Sequence, residues 1–76
     1  KYGFALYKLA WSYFNVGEYG EAITSMKEVV SYSVAQRSAN GGTPLQLEEE
    51  ALKDLIRFFA DAGEVDEALR YFEGLG

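Results

Sequence analysis

The second part of this chain repeats the first at an offset of 46 residues, and no other feature restricts the fold as much. The shift carries Leu6 to Leu52, Leu9 to Leu55 and Tyr13 to Phe59. It then carries Gly17-Glu18 to Gly63-Glu64, Glu21-Ala22-Ile23 to Glu67-Ala68-Leu69, Met26 to Phe72 and Val29 to Leu75. Helical periodicity alone would reproduce apolar positions, but not a Gly-Glu pair followed at fixed distance by Glu-Ala. Agreement at a single offset points to two copies of one supersecondary unit, each too small to bury its apolar face alone.

Each copy reads as two antiparallel helices, so the fold class is all-α with four helices. Over residues 2–16 the apolar surface is broken only by Lys8, Ser12 and Asn15, which share one stripe at spacings of four and three. A helix so apolar needs cover on more than one side. Leu6, Leu9, Ala10 and Tyr13 are expected to form its core face. Gly17 ends the helix as a C′ residue. A second helix is expected from Tyr19 to Arg37, buried through Ala22, Ile23, Met26, Val29 and Val30, and stopped by Asn40-Gly41-Gly42. Thr43, Pro44 and Gln46 give the N-cap, first-turn proline and capping box of a third helix, which runs to Ala62 on Leu45, Leu52, Leu55, Ile56, Phe58 and Phe59. Glu48, Glu49 and Glu50 suit the positive end of its dipole and read as a solvated first turn. Gly63 ends that helix, and a fourth follows from Val65 to Glu73 through Ala68, Leu69 and Phe72. The expected organisation is thus a first pair over 2–40, a Gly/Pro hinge loop over 41–44 and a second pair over 45–76. A start at Lys1 and an end on Gly76, directly after an apolar helix, read as a piece of a longer protein.

The run Leu9-Ala10-Trp11-Ser12-Tyr13-Phe14-Asn15-Val16-Gly17-Glu18-Tyr19-Gly20-Glu21-Ala22-Ile23 resembles the core of a tetratricopeptide repeat, and Leu55 to Leu69 is similar to it. The motif positions are Leu9, Tyr13, Gly17 and Ala22 in the first copy, and Leu55, Phe59, Gly63, Ala68 and Phe72 in the second. The resemblance implies an α-solenoid fragment in which Ala22 and Ala68 sit at close helix crossings. It also implies a non-catalytic scaffold that docks a protein or peptide. The period exceeds the family's roughly 34 residues by about a dozen. The extra length lies in the second helix and the Gly41-Gly42-Thr43-Pro44 loop. Ile56 replaces the small Ala10, and Val34 stands where the motif closes on Pro. Leu9-Ala10-Trp11-Ser12-Tyr13 is also similar to repeats of bacterial envelope scaffold proteins, which leaves a cytoplasmic and a periplasmic or envelope location both open.

Composition narrows the chemistry. With no Cys and no His, the chain lacks the commonest zinc ligands and the usual general base near neutral pH. No metal site, cofactor or catalytic residue is expected. A net charge of -5 argues against a nucleic-acid partner. No apolar run reaches the roughly 20 residues of a membrane span, so direct membrane insertion is not expected. The Glu48-Glu49-Glu50 run points to different sides of a helix and cannot pair as acid and base. Glu49 with Lys53, and Asp66 with Arg70, have the i,i+4 spacing of surface ion pairs. Gly41-Gly42-Thr43 lacks the glycine spacing and Lys of a phosphate loop and reads as a connector.

Aromatic side chains make up 16% of the residues, too much ring surface for a chain this short to leave idle. The resemblance puts the first helix of each pair on a concave groove. The groove positions are Phe4, Tyr7, Trp11, Phe14 and Asn15 in the first copy, and Glu50, Lys53, Arg57 and Asp61 in the second. Tyr7, Trp11 and Phe14 form one ridge, and Trp, Tyr and Arg are the residues that anchor partner proteins. Tyr7, Trp11, Phe14, Asn15, Lys53 and Arg57 are therefore the candidate partner-binding residues. The competing reading is that the same rings pack on a neighbouring repeat or on the long second helix. The clamp by which some family members hold chaperone C-termini uses Lys where this chain has Tyr7 and Asn where it has Trp11, so that activity is not expected. Open apolar ends also predict self-association, as a homodimer through the first helix or by exchange across Gly41-Gly42.

Overall fold

Two glycines fix how the chain doubles back. Gly17 and Gly63 have φ of 84° and 74°, the left-handed region that a Cβ disfavours. At the first turn the Glu18 amide donates to the Tyr13 carbonyl at 2.9 Å and the Gly17 amide to Phe14 at 3.1 Å. At the second, Glu64 donates to Phe59 at 2.9 Å and Gly63 to Ala60 at 3.2 Å. Both are Schellman closures, which satisfy the last carbonyls of one helix while aiming the chain into the next. Glu18 and Glu64 then accept from the Ala22 and Ala68 amides, so the following helix starts at once.

The computed structural model describes residues 2–39 and 46–75. These form α1 (Tyr2–Asn15), α2 (Tyr19–Ala39), α3 (Gln46–Ala62) and α4 (Val65–Leu75). The predicted helices all form, with α2 and α4 each two residues longer than expected. The predicted Thr43-Pro44 cap, Leu45 and the Gly41-Gly42 hinge lie outside the described residues.

α2 is the central element. It packs along α1 on one side and along α3 on the other, while α4 rests on the C-terminal half of α3. That position explains its sequence: Ala22, Ile23, Ser25, Met26, Val29, Val30 and Ser33 are all buried, more of its circumference than a one-sided helix covers. Ala10 of α1 and Ala51, Leu55, Phe58 and Phe59 of α3 complete the core. Near the other end of α2, a Cβ on Gly3 would come within 2.7 Å of the Tyr32 ring and 3.1 Å of Leu47, so the start of α1 approaches α2 and α3 closely. The whole measures 36 × 27 × 14 Å, a slab little thicker than one layer of helices (about 10 Å each).

Four expectations need correction. Leu9, predicted on the core face, is 44% exposed although its equivalent Leu55 is 0% exposed. The difference is the neighbour, since α2 covers that face of α3 and nothing among the described residues covers the same face of α1. Ile56 and Leu69, predicted to pack, are exposed for the same reason. Glu48, read as part of a solvated turn, is buried and meets Arg37 Nη2 at 3.1 Å. The i,i+4 pairs Glu49–Lys53 and Asp66–Arg70 are not formed. Among the described residues the ion pairs are long-range, Arg37–Glu48 between α2 and α3 and Lys27–Glu67 at 3.2 Å between α2 and α4.

Candidate functional site

The ridge of Tyr7, Trp11 and Phe14 forms at the predicted spacing on α1, and it faces α3. Phe58 of α3 stacks on Phe14 with ring centroids 4.4 Å apart and meets Trp11 edge-on at 4.9 Å. Trp11 and Phe14 are themselves in edge contact at 5.2 Å. Aromatic pairs at these distances add to simple burial. All three ridge residues are half-buried, so the ridge joins the two repeat copies and offers a visitor only its rim.

Asp54 organises that joint and is a residue the sequence reading missed. Its Oδ2 accepts from the Tyr7 hydroxyl and from Trp11 Nε1, the latter at 3.2 Å. Burial, followed by the hydrogen bond to the Asp54 carboxylate, raises the Tyr7 pKa above the ordinary tyrosine value of 10.0; nearby Glu50 adds to the rise and Trp11 opposes it. The phenol is thus kept protonated as the donor. One signal was available in the sequence: the 46-residue shift pairs Asp54 with Lys8, a reversal of charge between otherwise similar copies.

The other candidates remain at the surface. Asn15, Lys53 and Arg57 are exposed, as is Phe4. Phe4 stacks on Tyr7 at 6.2 Å and is capped by the Lys8 ammonium at 5.0 Å. Where the starts of α1 and α3 run side by side, Phe4, Tyr7, Gln46, Leu47 and Glu50 line a cleft of ≈ 460 Å³. Its floor is apolar and its edge is amide and carboxylate, the mixture found in peptide-binding clefts. The groove surface expected from the sequence is thus divided between an inter-helix joint and this cleft.

A second opening lies at the far end, between α3 and α4. Ile56, Phe59, Ala60, Val65, Ala68, Leu69 and Phe72 line a cleft of ≈ 270 Å³ that is apolar throughout. Lys27 ties α4 down beside it: its ammonium pairs with Glu67 and lies 5.4 Å from the Phe59 ring centroid and 5.1 Å from that of Tyr71. Burial raises the Tyr71 pKa.

Among the described residues no cluster of three or more His, Cys, Asp or Glu side chains is arranged to hold a metal ion. Among the described residues no helix is long and apolar enough to cross a membrane. A profile of the tetratricopeptide repeat matches residues 4–33, which span α1, its glycine turn and the first two-thirds of α2. Neither a curated protein nor a solved structure matches the chain.

Proposed function

We propose that this chain, whose residues 4–33 match the tetratricopeptide repeat, a family that acts generally in protein–protein interaction or as scaffolds, docks a partner polypeptide along the first helices of its two pairs, α1 and α3. The observation that carries this reading is the cleft between the starts of α1 and α3, where the exposed Phe4 ring and Leu47 offer apolar contact beside Gln46 and Glu50. Asn15 extends the surface on α1, and Lys53 and Arg57 on α3 supply cations for a partner carboxylate. The rims of Tyr7, Trp11 and Phe14 contribute edges, while their faces hold α3. The family is typically non-catalytic, and the proposal assigns this chain no reaction.

A peptide library selected on the intact chain and counter-screened against Phe4→Asp tests the proposal. Selected peptides should bind the parent at least tenfold tighter than Phe4→Asp while circular dichroism of the two proteins is the same. Equal binding to both would sink it.

One observation favours a second reading, in which α1 packs on a neighbouring repeat or on a second copy of the chain. Tyr2 and Leu9 on its outer face and Val16 in the turn just after it recur every seven residues, and all three are exposed. Their equivalents Glu48, Leu55 and Ala62 lie on the face that α3 turns to α2. Sedimentation of the parent against Leu9→Asp separates the two readings, because only self-association through α1 loses mass on that substitution.

A further inference from the structure

Glu50 and Asp54 bring two carboxylates to Tyr7. They stand one turn apart on α3, the spacing that puts both on one face. Burial comes first in raising the Tyr7 pKa, and the charges of Asp54 and then Glu50 add to it. Glu50 lines the ≈ 460 Å³ cleft between the starts of α1 and α3, with Phe4, Tyr7, Gln46 and Leu47. Asp54 takes the Tyr7 hydroxyl and the Trp11 indole N–H on a single oxygen, Oδ2. Both donors are neutral. Among the described residues the ion pairs are Arg37–Glu48 and Lys27–Glu67, so no cation there answers either carboxylate.

The 46-residue shift pairs Phe4 with Glu50 and Lys8 with Asp54, so equivalent positions carry a ring and a cation on α1 and two acids on α3. Lys8 does not neutralise Asp54. Its ammonium lies 5.0 Å from the Phe4 ring centroid instead, and a ring that draws one cation is a surface for another. Phe4 is 52% exposed, and its plane lies within 10° of the Tyr7 ring. A guanidinium suits this setting better than an ammonium, because it is flat, stacks on rings and donates in a fork to a carboxylate. The apolar stem of the same side chain has Leu47 to lie along. The Tyr7 oxygen, whose proton goes to Asp54, keeps lone pairs that accept from the cation.

We infer that the α1–α3 cleft selects an arginine side chain of the docked polypeptide, its guanidinium set against Glu50 and the Phe4 ring and its stem along Leu47. This rests on the docking proposed above and names the residue that docks. Charge complementarity carries the choice. Among the described residues lining the cleft Glu50 alone is charged, and a net charge of -5 favours the approach of a basic segment. The same net charge opposes a second copy as the source of the arginine. Its Arg37 is held by Glu48, and its Arg57 and Arg70 each stand within a turn of at least two acids.

Two probes test it. N-acetyl-arginine amide is titrated into the intact chain at millimolar concentration beside N-acetyl-citrulline amide, its uncharged isostere. The reporter is the NMR signal of the Trp11 indole N–H, which is donated to Asp54 and belongs to the single tryptophan. The arginine amide should bind about fivefold tighter than the citrulline amide. Glu50→Gln should cancel that difference with the circular dichroism unchanged, and Lys8→Ala should widen it by freeing the Phe4 ring. The second probe is the set of peptides selected on the parent chain and weakened by Phe4→Asp. They should carry an arginine, and citrulline in its place should weaken binding about fivefold on the parent but not on Glu50→Gln. The inference is overturned if the two amides move the reporter alike. It is equally overturned if the Phe4-dependent peptides bind unchanged with citrulline, in which case the docking along α1 and α3 stands without this selectivity. If no selected peptide depends on Phe4, the docking reading fails, and the amides alone decide whether the cleft takes the cation. Dimerisation of the parent that Glu50→Gln abolishes would assign the cleft to a second copy and refute the choice of partner.

Discussion

The α1/α2 pair and the α3/α4 pair turn on the same glycine geometry and diverge in what lies on top of them. In the first, α3 closes the groove and buries Ala10, Ala22, Ile23 and Met26. In the second, the equivalent residues Ile56, Ala68, Leu69 and Phe72 line an open cleft. In a stacked architecture a residue's burial is thus set by the next unit as much as by its own helix. The first pair with α3 is the stability core. The second pair holds its inner face through Phe59 and Lys27 and presents its outer face to the surroundings.

That contrast is broken most directly at Phe58, the residue of the second copy that seals the first. Phe58→Ala removes its contacts with Trp11 and Phe14 and leaves a hole in the core beside the ridge. Truncations of this kind cost about 3–4 kcal/mol. A chain this short has little margin, so urea denaturation should show a population largely unfolded without denaturant. Leu69→Ala in the open cleft should stay within about 0.5 kcal/mol of the parent. Similar losses at both sites would mean that the second cleft is closed in solution.

Arg37 comes next in size. Glu48 is buried and its Oε1 has no protein partner, so the Arg37 guanidinium is its principal compensation. Arg37→Ala should cost about 2 kcal/mol by stranding the carboxylate, and adding Glu48→Gln should recover part of that loss. The equivalent position in the first copy is Tyr2, exposed and in edge contact with Tyr32 at 5.2 Å, where truncation should have little effect. Thermal melts of the single and double variants measure the coupling.

The turns offer a comparison in which the copies should behave alike. Nothing lies within 4 Å of a Cβ built on either Gly17 or Gly63, so alanine there meets only backbone strain. Gly17→Ala and Gly63→Ala should each cost about 1–2 kcal/mol. A much smaller loss at Gly63, measured by denaturation, would show that α4 detaches before the rest of the chain unfolds.

These cases also indicate which parts of the molecule were legible in the sequence. Gly17 and Gly63 carry a local constraint, positive φ, and a local constraint leaves its mark on residue type. The face that α1 turns to α3 was legible as an aromatic ridge, but its occupant was not. The ridge pairs with Asp54 and Phe58 about 45 positions away, and no periodicity within one helix records that meeting. Leu9 was misread for the complementary reason: its sequence context matches that of Leu55, and only the covering helix differs. Glu48 was misread because a carboxylate in a first helical turn has two satisfactory settings, solvent and a distant guanidinium, and the residue type is the same in both.

The smallest effect expected is a dependence on alkaline pH confined to the closed pair. The Tyr7 phenol donates to Asp54, and its pKa is raised in the folded chain by burial first and by that carboxylate second. In the unfolded chain it should ionise near the ordinary value, about 10. The unfolded state therefore releases this proton first. The stabilisation is full below about pH 10 and is lost as pH rises through the higher folded-state value. Tyr7→Phe lacks the hydroxyl and should be less stable than the parent at pH 7, by about 1 kcal/mol for a half-buried hydrogen bond to a carboxylate. Above pH 10 the parent's melting temperature should fall faster than that of Tyr7→Phe, so the gap between them narrows. Tyr71 keeps its own raised pKa in both proteins and cancels in the difference. The second pair has Lys53 where the first has Tyr7, so it has no counterpart to this hydrogen bond. A gap that stayed constant from pH 7 to 11 would mean that the Tyr7–Asp54 contact contributes nothing to holding α3 on α1.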